Sequence, residues 1–100
     1  MVLIFDGDYP MAFGALDLNR DLTRPLQEVR NPSDPPKMAA WNDGETMASL
    51  PEMRRGNIGL CVATQIGRYV RHDNQLPGWH SPEQAWAQTQ GQLAWYRVME

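Results

Sequence analysis

Val2-Leu3-Ile4-Phe5 is an unbroken apolar run that stops abruptly at Asp6-Gly7-Asp8, and Ile58-Gly59-Leu60-Cys61-Val62-Ala63-Thr64-Gln65-Ile66 is a second run of the same kind. Neither alternates polar with apolar positions. Together they predict two strands buried on both faces, in a parallel sheet covered by helices. The polar Asp6-Gly7-Asp8 predicts a turn that ends the first strand.

Between the strands lies a long segment punctuated by Pro25, Pro32, Pro35, Pro36 and Gly44, with Asn31, Ser33, Asp34, Asn42 and Asp43 among them. That composition predicts irregular loop. Short helical pieces are embedded in it. Met11 to Leu18 could form one, and Thr23 to Arg30 carries Pro25 near a first helical position. Ser49-Leu50-Pro51-Glu52-Met53-Arg54-Arg55-Gly56 predicts a helix that feeds the second strand, with Ser49 as cap, an acidic first turn, basic residues in the last turn and Gly56 as its stop.

After the second strand, Arg68 to His80 predicts a polar loop closed by the Pro77-Gly78 turn. Ser81-Pro82-Glu83-Gln84 then opens a helix with four concordant signals: Ser81 as cap, Pro82 first in the helix, Glu83 in the first turn and Gln84 completing a capping box. Trp86, Leu93 and Tyr96, with Ala85, Thr89 and Val98, fall on one broad side, which is expected to cover the sheet. The pattern runs on to Glu100 with no closing Gly, Asn or Pro, so the helix is expected to be cut within the element.

Composition narrows the classes. One hundred residues with 42% apolar content suffice for one small domain. The net charge of −3 and the scattering of arginine among acids provide no basic stripe for phosphates, which argues against nucleic acid. Cys61 has no partner cysteine and lies in an apolar run, so it is expected as a small core residue in a reducing compartment. The amino terminus lacks the basic and apolar regions of a signal peptide, and no apolar run reaches the length of a membrane helix. A cytoplasmic location and no membrane partner are expected.

The order of features resembles the start of the renal (membrane) dipeptidase-like zinc peptidases, in particular a bacterial branch. The resemblance rests on Asp6-Gly7 at the first strand end, on Ser49-Leu50-Pro51-Glu52-Met53-Arg54-Arg55-Gly56-Asn57-Ile58-Gly59 before a buried strand, on Leu16 to Leu22 and on Gly78 to Trp86. It spans nearly the whole chain. It implies an α/β fold, the opening β/α units of a (β/α)8 metal-dependent hydrolase barrel, incomplete in this chain because such a barrel needs about 250 residues. It also implies hydrolysis of dipeptides with two zinc ions, which polarise the scissile carbonyl and activate a water, and leaves room for a homodimer of the full-length form.

The metal motif departs from the family pattern. Where the family has Asp-Gly-His-x-Asp, this chain has Asp6-Gly7-Asp8-Tyr9-Pro10, so Asp8 stands for the histidine and Pro10 for the second aspartate. Asp8 could still bind zinc, but an aspartate after a strand is also a common turn residue. Pro10 has no ligand atom in its side chain. Asp6 is expected to hold backbone amides. His72 and His80 lie in the loop that a barrel would turn toward its catalytic mouth, without the spacing of a metal pair on one helix face. His80 and Arg68 are the candidate substrate contacts, Arg68 through its planar fork to a carboxylate; local packing for His80 and a surface ion pair for Arg68 are the structural alternatives. Trp86, Trp95 and Tyr96 are expected in the core, and Cys61 is no candidate nucleophile. Three functions remain open at this point: a metal-dependent dipeptidase, a degenerate non-catalytic relative that serves as a binding module, and an unrelated small α/β domain.

Overall fold

A computed structural model describes residues 2–30, 47–76 and 78–100. Its elements, in chain order, are strand β1 (Ile4–Tyr9), a π-helix (Phe13–Asp17), helix α1 (Leu26–Val29), helix α2 (Leu50–Arg55), strand β2 (Ile58–Ala63) and helix α3 (Pro82–Met99). β1 and β2 pair in parallel as a two-stranded sheet. The fold is thus a small mixed α/β arrangement. The predicted loop residues 31–36 and 42–44, and Pro77 of the predicted turn, lie outside the described residues.

Both strands form where the apolar runs predict them, with different ends. β1 does not stop at Asp6 but continues through Asp8 to Tyr9. Its partners step from Asp6↔Cys61 to Tyr9↔Ala63, so β1 carries one extra residue there. The Asp6 carboxylate accepts the amide of Asp8 at 3.1 Å, satisfying a donor that the irregular ladder leaves over. Asp6 therefore holds a backbone amide as expected, but within a bulged strand rather than after one. A second irregularity, on β2, falls beside Gly59. A Cβ on Gly59 would come within 3.3 Å of Leu3, the close approach for which a strand glycine is suited.

The expected two-sided burial of the strands is not found. Phe5 is 61% and Leu60 65% exposed, and Val2, Leu3, Ile4 and Val62 are exposed as well. The core lies to one side instead, around Met11, Ala15 and Leu22, with Tyr9, Leu50, Met53, Cys61, Trp95 and Tyr96 packed against it.

Helix ends follow local chemistry that the sequence shows only in part. Ser81 caps α3 as predicted, accepting the amide of Gln84 at 3.1 Å, the first half of a capping box; the Gln84 side chain accepts from the Ser81 hydroxyl rather than from the Ser81 amide that the full box would use. Ser49 sits at the cap position of α2 but makes no such bond. The Leu50 amide donates to the Leu22 carbonyl at 2.8 Å. Pro51 has no amide, so two of the first-turn donors need no cap. Ser49 is fully buried, and its hydroxyl oxygen has no partner among the described residues. Gly56 caps α2 as expected, and the left-handed conformation falls to Asn57 at φ 62°, whose amide donates to the Arg54 carbonyl, as asparagine sometimes does at a helix end. Pro25 is the cap of α1 rather than its first residue, its carbonyl accepting from Glu28 and Val29.

The α3 face differs most from expectation. Trp86 and Val98 are 67% and 75% exposed, while Ala85 and Gln92 are buried. The least exposed stripe runs through Ala85, Thr89, Gln92 and Tyr96 and meets Thr64, Ile66 and Gly67 beyond the end of β2, while Gln88 reaches Asp17 of the π-helix. Gly67 permits the loop after β2 to cross α3 closely: a Cβ there would lie 2.7 Å from the Ala85 carbonyl oxygen and the Thr89 methyl.

Candidate functional site

The carboxyl end of β1 leads through Pro10 into Met11–Ala12 and the π-helix. Asn19, left-handed at φ 54°, closes that helix. The Arg20 amide bonds the Ala15 carbonyl at 3.1 Å in a Schellman arrangement. This turn brings Arg20 back beside Tyr9. Here lies an open pocket of about 190 Å³, with Tyr9, Pro10, Phe13, Gly14, Leu18 and Arg20 among its walls. Burial is the largest influence on both polar groups, pushing the Tyr9 phenol up and the Arg20 guanidinium down, each opposed by their mutual attraction. The arrangement presents an apolar surface with one cation and one phenol.

Asp8 is exposed on the same strand end. The carboxylates of Asp6 and Asp8 both lie near Cys61, whose thiol is raised first by burial and then by these two charges. A raised thiol is a poor nucleophile, consistent with excluding Cys61 from covalent chemistry. Among the described residues no group of three or more His, Cys, Asp or Glu side chains is placed to hold a metal ion. With one Asp6 oxygen engaged by the Asp8 amide and no ligand atom on Pro10, the described residues of this chain do not fit a two-zinc site.

The loop after β2 folds on itself. Val70 donates to the Trp79 carbonyl at 2.9 Å and Trp79 to the Arg68 carbonyl at 2.8 Å, forming a bridge between Tyr69 and Trp79. A Cβ on Gly78 would lie 2.9 Å from Val70, so the close approach of these segments requires glycine. His72 and His80 are brought together as stacked rings, 4.6 Å apart and 11° from parallel. His80 thus packs locally. Neither His80 nor Arg68 lines the pocket at the end of β1.

Trp95 and Tyr96 are half-buried against the core, in edge contact at 5.4 Å. Trp86 does not join them. Tyr9 and Arg20 are the site residues that sequence reasoning missed. Their only signal is the Asn19-Arg20 pair, and nothing in its spacing says that a left-handed turn returns Arg20 to the strand end.

Comparison with protein-family models, with curated proteins and with solved structures finds no match to this chain. No helix among the described residues is long and apolar enough to cross a membrane.

Proposed function

We propose that this chain is the opening β/α portion of a renal dipeptidase-like barrel, and that the complete barrel hydrolyses dipeptides with a metal-activated water. The observation that carries the reading is the β1–β2 pair. The two strands are parallel neighbours despite the long segment between them, α2 leads directly into β2 through Asn57, and the sheet is apolar on both faces yet exposed. Parallel strands of this composition belong in sheets with further strands beside them and helices over them. The resemblance of Ser49 to Gly59, and of Asp6-Gly7, supports the same family.

In this reading the end of β1 faces the catalytic mouth, as strand ends do in barrels. Asp8 is the ligand it can offer, and Pro10 offers none. The substitution pattern at Asp8 and Pro10 favours a second reading, a degenerate relative that keeps the barrel opening as a binding or interaction module.

Zinc affinity separates the two. The native chain is expected to hold no stoichiometric zinc and to hydrolyse no dipeptide; stoichiometric zinc with turnover would remove the second reading. The double variant Asp8→His, Pro10→Asp is expected to bind zinc roughly 10- to 100-fold more tightly, measured by competition with a chromophoric chelator. Unchanged affinity would overturn the assignment of β1 as a ligand strand and, with it, the dipeptidase reading.

A further inference from the structure

The chain has two histidines, and the loop between β2 and α3 brings both to one place. Their rings lie face to face, with centroids 4.6 Å apart and planes 11° from parallel. Hydrogen bonds hold the backbone around each. His72 lies within a turn closed by the Asn74 amide on the Arg71 carbonyl at 3.0 Å, and just beyond it the Leu76 amide bonds the Asn74 side chain at 2.8 Å. His80 lies between Trp79, whose amide and carbonyl bond the Arg68 carbonyl and the Val70 amide, and Ser81, whose hydroxyl caps α3. Two ligand side chains on so fixed a backbone are already close before any ligand arrives.

Core packing does not account for the pair. Both rings are exposed, so stacking them removes little apolar surface from water, while holding them together costs side-chain entropy. What the pair offers is two imidazole nitrogens side by side, the donors that suit copper, nickel and zinc. Two nitrogens in adjacent coordination positions, each about 2.0–2.1 Å from the ion, stand about 3 Å apart. Their lone pairs lie in the ring planes, so the stacked rings direct them alongside one another. A tilt of either exposed ring converges them on one ion.

We propose that His72 and His80 form a two-imidazole site for a divalent first-row transition ion, with Cu2+ its tightest occupant. Cu2+ leads the affinity order at nitrogen sites and accepts nitrogen and oxygen ligands in one plane. Water fills the remaining positions, since no third His, Cys, Asp or Glu joins the pair among the described residues. Zn2+, whose protein sites generally supply three or four side-chain ligands, binds here more weakly. The site uses no residue of β1 and does not depend on the dipeptidase reading.

The test adds Cu2+ alone to the 100-residue chain in a non-coordinating buffer and follows it by NMR. Saturable paramagnetic broadening is expected to centre on the rings of His72 and His80 and on the Ser81 amide, and Zn2+ to reverse it only in roughly tenfold or greater excess. His72→Phe and His80→Phe each keep an aromatic ring for the stack and remove its nitrogens. Each is expected to retain native dispersion and to lose Cu2+ affinity by roughly tenfold or more. If a phenylalanine variant loses its fold, glutamine at the same position takes its place with the same expected loss. Broadening centred on the amino terminus instead, native Cu2+ affinity in either folded variant, or tighter binding of Zn2+ than of Cu2+ overturns the proposal.

Discussion

Tyr96 joins three segments through one oxygen. It accepts the Ala12 amide at 3.3 Å and donates to the Thr64 carbonyl at 2.9 Å, tying α3 to the start of the first helical excursion and to the exit of β2. Burial raises its phenol above the ordinary value, and the bond to Thr64 requires the proton. By linkage, a group whose folded pKa is raised contributes stability that is whole below the unfolded value of about 10 and is lost as pH rises through the folded one. Tyr96→Phe is therefore expected to cost about 1–2 kcal/mol at neutral pH, the worth of two ordinary hydrogen bonds, and to flatten the fall in stability above about pH 10. Urea midpoints at neutral pH and above the ordinary tyrosine pKa check this. An unchanged alkaline slope would show that Tyr96 is not the group responsible. Asp21 works on a smaller scale, its carboxylate accepting from the Thr23 hydroxyl and amide and from Arg24, which together hold its acid below the usual carboxylate range.

At the scale of elements, Gln92 replaces the apolar contact expected of α3. Its side-chain oxygen accepts the Ile66 amide and its nitrogen donates to the Ile66 carbonyl, both at 2.7 Å, so the side-chain amide stands in for a neighbouring strand where β2 has already ended. Gln92 is fully buried and Ile66 half-buried, and Gly67 beside them brings backbone against backbone. Gln88 adds a bond to Asp17 on the π-helix. Polar side chains, not Trp86 and Val98, thus dock the helix. Gln92→Leu keeps approximate volume but leaves the amide and carbonyl of half-buried Ile66 without their partner, at up to about 1–3 kcal/mol each. A loss of roughly 2–4 kcal/mol is expected from equilibrium unfolding. A neutral result would mean that the Ile66 groups find water and that the docking is apolar after all. Trp86 is the contrast: substitution by Ala should cost much less, because its ring is largely in solvent.

Across the whole molecule the parallel sheet stays open. Val2, Leu3, Ile4, Phe5, Leu60 and Val62 form an apolar surface on a two-stranded sheet, and apolar surface beside unpaired strand edges drives association. The 100-residue chain is expected to bind a hydrophobic dye and to sediment as more than a monomer at micromolar concentration, and Phe5→Glu with Leu60→Glu to suppress both. A sharp monomeric unfolding transition without dye binding would count against the need for further strands, and so against the barrel reading.

The sequence by itself determined the two strands, the helical nature of the segments after Pro10, Ser49 and Ser81, and the α3 cap. Each of these is set within a few residues: an apolar run, a proline at a helix start, a serine three residues before an amide that needs an acceptor. Tertiary structure decided the rest. Which face of α3 is buried depends on what lies opposite, and the partners proved to be the Ile66 backbone and Asp17, so glutamines went inward and Trp86 outward. Where β1 ends depends on the register with β2, which a bulge carries past Asp6 to Tyr9. The pocket has no signature in sequence, because Tyr9 and Arg20 meet only when the π-helix and the left-handed Asn19 turn the chain back on the strand.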